Sequence, residues 1–487
     1  MTGGGRWRRE SVSVGATIAL SFSFMKNDNS TRRVVQHLRR SVAASEAGAR
    51  LPSVRELMAQ LNVSPLTVRR AFQELVALGL IDARPGHGTF VAKLRAPVTS
   101  GDFGWQSLAL GPAQVSDAAI RALLAPPPPG GVNLGGGYLP DELQALPQLS
   151  AAMARVSRRP GVWGRMPAQG IEPLRMWFAQ ELGGTTGAHD VIVAPGSQAG
   201  IGAVFRALVA PGTPLLMESP TYVGAIVAAR AIGLPLVPVP TDGDGVVPDA
   251  LADAFSRTGA RVFYCQPTFA NPSGTTLSTT RRREVLDVVA RAGAFLIEDD
   301  WGRDFGIDAP PPAPLATADP DGHVVYLRSL TKSAAPGLRI SAIVAKGGAQ
   351  ARLLAARTIA DFFISGTIQE TALELVTSPA WPRHLRALRT ALRARRDALV
   401  SALRPALGEG CLASIPAGGL HLWVRLPDHV DDVEFAARAK AADVVVSAGQ
   451  QWFPAEATGA FLRLSFATAA PDAIPDAVAR IARLLHA

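Results

Sequence analysis

The sequence predicts an α/β protein in two parts: an N-terminal winged helix-turn-helix, then a larger domain around a mostly parallel sheet. Three observations carry this. From Val191 onward, short Val/Ile/Leu-rich runs alternate with helical stretches, the pattern of strands covered on both faces by crossover helices. Residues 25–95 instead show three successive helical patterns and a hairpin, with twelve basic residues against five acidic ones. Between the parts, 96–132 has little periodicity beyond a short helical pattern at Asp117 to Leu124, and contains Pro126-Pro127-Pro128-Pro129-Gly130-Gly131, which favours an extended, semi-rigid spacer. The expected division is a tail over 1–24, a basic module over 25–95, a proline-rich linker over 96–132 and the large domain over 133–487.

Composition bounds the function. A chain of 487 residues exceeds one ordinary core, and 48% hydrophobic residues exclude disorder. The net charge of +9 is uneven: +7 lies in 25–95, +2 in 1–24 and none in 96–487. A basic module ahead of a neutral one points to a polyanionic partner for the first. Two cysteines, Cys265 and Cys411, make no disulfide framework and fit a reducing cytoplasm. No apolar run reaches the roughly 18 residues of a membrane-spanning helix. Residues 1–24 imitate a signal peptide, basic at Arg6 to Arg9 and apolar at Val12 to Phe24, but lack a small-residue cleavage site; Met25 is the expected start.

In the basic module, Val34, Val35, Leu38 and Val42 recur at helical spacing. Ser53 and Glu56 form a capping box that starts a second helix, closed by Asn62. Ser64-Pro65 opens a third, with Ser as N-cap and Pro at the first helical position. Its apolar stripe is Val68, Ala71, Leu75 and Leu78, and Gly79 ends it. Thr67, Arg69 and Arg70 lie in its first turns, polar and basic residues early on the second helix of a helix-turn-helix. Leu80 to Arg84 and Thr89 to Val91 flank Pro85-Gly86-His87-Gly88 as a hairpin wing.

In the large domain four strand ends carry unusual polar chemistry, where parallel sheets bind ligands. After Val191 to Ala194 come Pro195-Gly196-Ser197-Gln198, a Gly turn into a helix that offers free N–H groups to an anion. After Val262 to Cys265 come Gln266 to Gly274, with Asn271 on a Pro/Gly-constrained loop and Asn271-Pro272 a candidate cis bond; taken alone, a plain turn explains it better. After Ala294 to Ile297 come Glu298-Asp299-Asp300, costly at a buried strand end without a cation. A protonated pyridine nitrogen would serve; a metal would too, but no His or Cys lies near to complete a ligand set, and no metal is expected. After Val324 to Leu327 come Arg328 to Lys332, with Arg339 beyond. A lysine near cations has a lowered pKa and becomes a nucleophile toward aldehydes, and Ser329 with Arg339 can hold a phosphate.

The motif LPSVRELMAQLNVSPLTVRRAF…LGLIDARPGHGTFV resembles the winged-helix domain of the GntR regulators. That resemblance implies DNA contacts from Arg55, Ser64, Thr67, Arg69, Arg70 and the wing near His87. The four strand ends, in order, resemble the fold-type-I, class I/II aminotransferases over about 133–487, with a smaller C-terminal α+β subdomain. This resemblance implies pyridoxal 5'-phosphate as a Schiff base on Lys332. It implies Asp299 at the pyridine nitrogen and Asn271 at the phenolic oxygen. Ser197, Gln198, Ser329 and Arg339 would hold the phosphate, Tyr222 would stack on the ring, and Arg463 would clamp a carboxylate. Two positions depart from the pattern: Trp301 stands where a tyrosine is usual, and Arg165 where a tyrosine reaches the neighbouring subunit's phosphate. Both bear on transamination more than on cofactor binding. The two halves in this order resemble the MocR subfamily of transcription regulators. That implies a cytoplasmic homodimer with no membrane contact, which binds a double-stranded DNA operator and responds to an amino compound or the vitamer itself. The alternative is a working aminotransferase that carries a DNA-binding domain.

Overall fold

The structure, a computed structural model, describes residues 29–84, 86–92, 103–110 and 116–486. The 1–24 tail, Met25, Pro85, Lys93 and Arg95 lie outside these residues. The chain divides into two compact units, Met1–Pro112 and Ala113–Ala487.

In the first unit, α1 (Asn29–Ala43), α2 (Val54–Leu61) and α3 (Pro65–Ala77) precede a hairpin of β1 (Ile81–Arg84) and β2 (Gly88–Val91). Ser53 caps α2 through the reciprocal box with Glu56, and Asn62 ends it in the left-handed region. Ser64 caps α3, with Pro65 at its first turn. Val34, Leu38, Leu57, Val68, Ala71 and Leu75 close the core with Ile81 and Val91. One expected core residue is misplaced: Leu78 is 51% exposed. The helix stops at Ala77 and Gly79 turns the chain at φ +66, which takes Leu78 off the buried stripe. Ile81 pairs with Val91 and Arg84 with Gly88, antiparallel.

The second unit holds an eight-stranded sheet. From one edge its order is Val191–Ala194, Ser341–Val344, Val324–Ser329, Phe295–Asp300, Val262–Cys265, Leu215–Ser219, Leu236–Asp242 and Gly245–Val246. The strands from Val324–Ser329 to Leu236–Asp242 run parallel, while Ser341–Val344 is antiparallel to both neighbours. Separate apolar clusters cover its faces, one around Ile201, Phe205 and Ile226, others around Phe178 and Leu338 or around Leu251 and Val285. A three-stranded antiparallel sheet, with His421–Arg425 and Phe461–Ser465 paired, forms the smaller subdomain. It packs on the helices Ala380–Leu407 and Ile474–Leu485 around Leu422, Val424, Leu462 and Leu464. Residues 116–131, expected as linker, belong to this unit. Val132–Asn133 pairs in parallel with Val444–Val445. Among the described residues no helix is long and apolar enough to cross a membrane.

Candidate functional site

The carboxyl ends of the parallel strands open into one cavity of about 360 Å³. Lys332, Asp299, Asn271, Ser197, Gln198, Tyr222, Ser329, Arg339 and Arg463 all line it. Strand geometry explains why one acid of three reaches it. The strand Phe295–Asp300 runs through all three acids rather than ending before them, and all are buried. Side chains alternate across a strand. Glu298 turns away and accepts the N–H groups of Leu315 at 2.8 Å and Ala316 at 3.0 Å. Asp300 also turns away and accepts the Tyr326 hydroxyl at 2.9 Å. These two therefore need no cation in the cavity. Asp299 faces inward, where Tyr264 donates at 2.6 Å and Gln266 at 2.8 Å to its Oδ2. Its Oδ1 is buried without a partner. Burial pushes the Asp299 carboxyl up to about 6, against the two donors that favour its ionised form.

Lys332 follows the strand Val324–Ser329 by three residues. Its Nζ donates to the Gly137 carbonyl at 2.6 Å and lies 3.7 Å from the centre of the Tyr138 ring. Burial, and then the Arg463 and Arg339 charges, lower the Lys332 amine to about 7. The amine is thus largely free base just above neutrality, as a nucleophile requires.

At the phosphate end, Gly196 at φ +89 turns the chain into the helix Ser197–Leu208. A Cβ there would collide with the Arg339 guanidinium, so glycine lets arginine and helix N-terminus approach each other. The Ser197 hydroxyl is buried and unpartnered. Arg339 donates to the Pro195 carbonyl at 3.1 Å. The Gln198 amide is engaged elsewhere: it donates to the Gly224 carbonyl at 2.8 Å and accepts from the Tyr222 hydroxyl at 3.1 Å.

Arg463 projects from the small subdomain and is 1% exposed. It lies 4.3 Å from the centre of the Trp452 ring and donates to Asn271 Oδ1 at 3.3 Å and to the carbonyls of Gly135 and Gly136. Its Nε has no partner. Burial lowers it to about 9. Gln266 joins the two anchors, since its amide nitrogen serves Asp299 while its oxygen accepts the Asn271 N–H at 2.9 Å. Asn271-Pro272 is cis.

Residues that sequence reasoning passed over also line the cavity: Tyr138, Gln266, Thr331 and His421. Neither His421 ring nitrogen makes a hydrogen bond, and the ring lies 5.6 Å from that of Trp301. Burial, then Arg463 and Lys332, hold its imidazole well below the usual value, hence neutral. The run Gly135-Gly136-Gly137-Tyr138 was a readable signal of close backbone approach; His421 had none, because its strand alternates like any other. Trp301 is buried, with its Nε1 unpartnered in the same cavity. Arg165 is exposed and does not line this chain's cavity.

On the N-terminal unit, Arg55, Ser64, Arg69, Arg70 and His87 are exposed. Thr67 is not: it is 6% exposed, and its hydroxyl shares a 2.9 Å hydrogen bond with Ser64.

Comparison with known proteins agrees with this division. The model of aminotransferase class I and II matches residues 130–481, and that of the bacterial regulatory proteins of the gntR family matches residues 30–91. The uncharacterized HTH-type transcriptional regulator YdfD of Bacillus subtilis is 28% identical over 91% of this chain and 94% of its own length. The vitamin B6 salvage pathway transcriptional repressor PtsJ of Salmonella typhimurium is 27% identical over 79% of this chain and 82% of its own. The crystal structure of LysN, the alpha-aminoadipate aminotransferase of Thermus thermophilus complexed with N-(5'-phosphopyridoxyl)-L-leucine, superposes with a TM-score of 0.72 at 28% identity, over 77% of this chain and 95% of that one.

Proposed function

The chain belongs to the aminotransferase class I and II family and carries a gntR-family domain in front of it, the architecture of the MocR transcription regulators; from this premise we propose that it senses an amino compound or a vitamin B6 vitamer through pyridoxal phosphate held on Lys332. The observation that carries the reading is the set of unsatisfied polar groups in the cavity. Asp299 Oδ1 is buried without a donor, as a protonated ring nitrogen would supply. Ser197 Oγ is buried without a partner at a helix N-terminus beside Arg339, as a phosphate would supply. Buried polar atoms left unpaired cost about 1–3 kcal/mol each, so these positions favour a ligand that pairs them.

The residues present therefore fit the cofactor. Asp299 would hold the pyridine nitrogen, Asn271 the phenolic oxygen, and Ser197, Ser329 and Arg339 the phosphate. Gln198 would contribute its backbone N–H, because its side chain is engaged. Tyr222 would stack on the ring. When bound, pyridoxal phosphate would supply an electrophilic aldehyde carbon within reach of the Lys332 amine and of a primary amine of the ligand. The protein's own part is to keep the Lys332 amine deprotonated, to hold Asp299 as an anion through Tyr264 and Gln266, and to present the Arg463 guanidinium to a carboxylate. Arg165 is the candidate contact to a second subunit's phosphate in a homodimer. Arg69 and Arg70 on α3 are the candidate operator contacts, with Arg55 and His87 beside them. Thr67 supports the cap of α3 and does not present its hydroxyl to DNA.

Incubation with pyridoxal phosphate should give a yellow protein whose absorbance band borohydride erases, with the label on Lys332 in peptide maps. A colourless protein, or a label elsewhere, would overturn the reading. The intact Lys332, Asp299, Asn271 and Arg463 set keeps one second reading open, an active aminotransferase. Steady turnover across a panel of amino acids and 2-oxo acids would favour it; spectral response without turnover favours the sensor.

A further inference from the structure

Ile120, Leu123 and Leu124 line the same cavity as Lys332 and Arg463. They come from the helix Ala118–Leu124 and share one face, at i, i+3 and i+4. All but one of its residues are apolar, yet none is buried, and Leu124 is 61% exposed. Its other side, with Ala119 and Ala122, borders a second space of about 570 Å³ beside Val223, Ile226 and Val446. The helix is thus held between two open volumes rather than seated in a core. Apolar area left in water is unfavourable, and here it opens onto the cavity that Lys332 and Arg463 also line. Arg339 and Ser197 mark one end of that site and Arg463 another, while this helix supplies an apolar wall.

We infer that the helix Ala118–Leu124 is the side-chain subsite of the effector, and that the effector is an amino acid with an apolar side chain that packs on Ile120, Leu123 and Leu124. The inference rests on the proposed reading of the cavity as a pyridoxal phosphate site for an amino compound. Continuity of the apolar face with the Lys332 and Arg463 anchors selects this occupant. An amine at the Lys332 position and a carboxylate at Arg463 direct the remaining substituent of an α-amino acid to a third wall. The helix also lies in the segment that leads from the DNA-binding unit to the large domain. A ligand regulates only through a difference in its binding free energy between two states. Covering this helix face ties that difference to the connecting segment itself.

The test uses the full chain loaded with pyridoxal phosphate. Cofactor absorbance is followed during titration with L-leucine, L-alanine and L-glutamate, in wild type, in Leu123→Ala/Leu124→Ala and in Leu124→Arg. Leucine should bind wild type about tenfold or more better than alanine, the discrimination that extra methylenes give in an apolar pocket. The double variant should lose most of that preference while it keeps the absorbance band of the bound cofactor. Leu124→Arg should shift preference toward glutamate. Amide exchange in the peptide spanning 116–124 should slow with leucine and not with alanine. Equal responses to leucine and alanine in a wild-type protein that carries the band would overturn the inference alone. So would an unchanged leucine preference in the double variant, or protection of 116–124 that follows protein concentration without ligand, since a second copy would then cover the helix. A wild-type protein that takes up no cofactor would overturn both the inference and the reading beneath it.

Discussion

At the scale of single residues, the site works by withholding solvent from a few charges and leaving a few atoms unpaired. Lys332 carries this furthest. With its amine lowered to about 7, it loses its proton as pH rises through neutrality. The rate of pyridoxal phosphate capture by cofactor-free protein should therefore climb between about pH 6 and 8 and level off above, because the free amine is the nucleophile. Stopped-flow absorbance measures this; a rate that rises steadily to about pH 10 would mean an ordinary lysine. The same inequality has a sign for stability. A lysine whose folded-state value lies below its unfolded one makes the cofactor-free fold more stable as pH rises from about 7 toward 10. Asp299→Asn removes the anion opposite the ring nitrogen while it keeps a side chain for Tyr264 and Gln266 to meet. It should weaken cofactor affinity by about 2 kcal/mol, the worth of a charged hydrogen bond, read from equilibrium titration of the band.

At the scale of elements, local caps and turns position the chemistry. The Gly196 turn at φ +89 lets the helix Ser197–Leu208 begin against Arg339. Gly196→Ala should cost about 1–3 kcal/mol in backbone strain alone and displace Arg339. Cofactor affinity should then fall more than thermal stability does, as paired titration and melting of the variant would show. On α3, Thr67 and Ser64 share a hydrogen bond at the cap. Thr67→Val should lower the stability of the winged helix by about 1 kcal/mol with little loss of DNA contact, whereas Arg69→Ala should cost about 1–3 kcal/mol of operator affinity if it meets a base edge. Denaturant melts and operator titrations of the two variants separate a capping residue from a reading one; equal operator losses would return Thr67 to the interface.

At the scale of the whole molecule, two units with separate cores sit on one chain. Binding to an operator should weaken steeply with salt, because the basic module releases counterions. Lys332→Ala lies in the other unit, so basal operator affinity and its salt slope should match wild type while the response to an amino effector is lost. Fluorescence anisotropy with and without effector tests this; a full response in the variant would show that the signal is read without the Schiff base. Sedimentation at micromolar concentration tests the homodimer, and a cofactor-loaded monomer would remove the role given to Arg165.

Much of this was legible in sequence, because local rules decide it. The capping box at Ser53 and Glu56, the Ser64-Pro65 start and the left-handed Asn62 follow from backbone chemistry within four residues. The four polar strand ends were legible because a buried strand tolerates few charges. Tertiary structure decided what local rules cannot express. It turned Asp299 into the cavity and Glu298 and Asp300 away, through the phase of one strand against its neighbours. It buried Thr67 and exposed Leu78, through where a helix starts and stops. It brought His421, far along the chain, onto one cavity with Tyr138 and the helix Ala118–Leu124. Side-chain direction and long-range proximity depend on sheet order and packing, and those are settled only when the separate elements bury their apolar faces together.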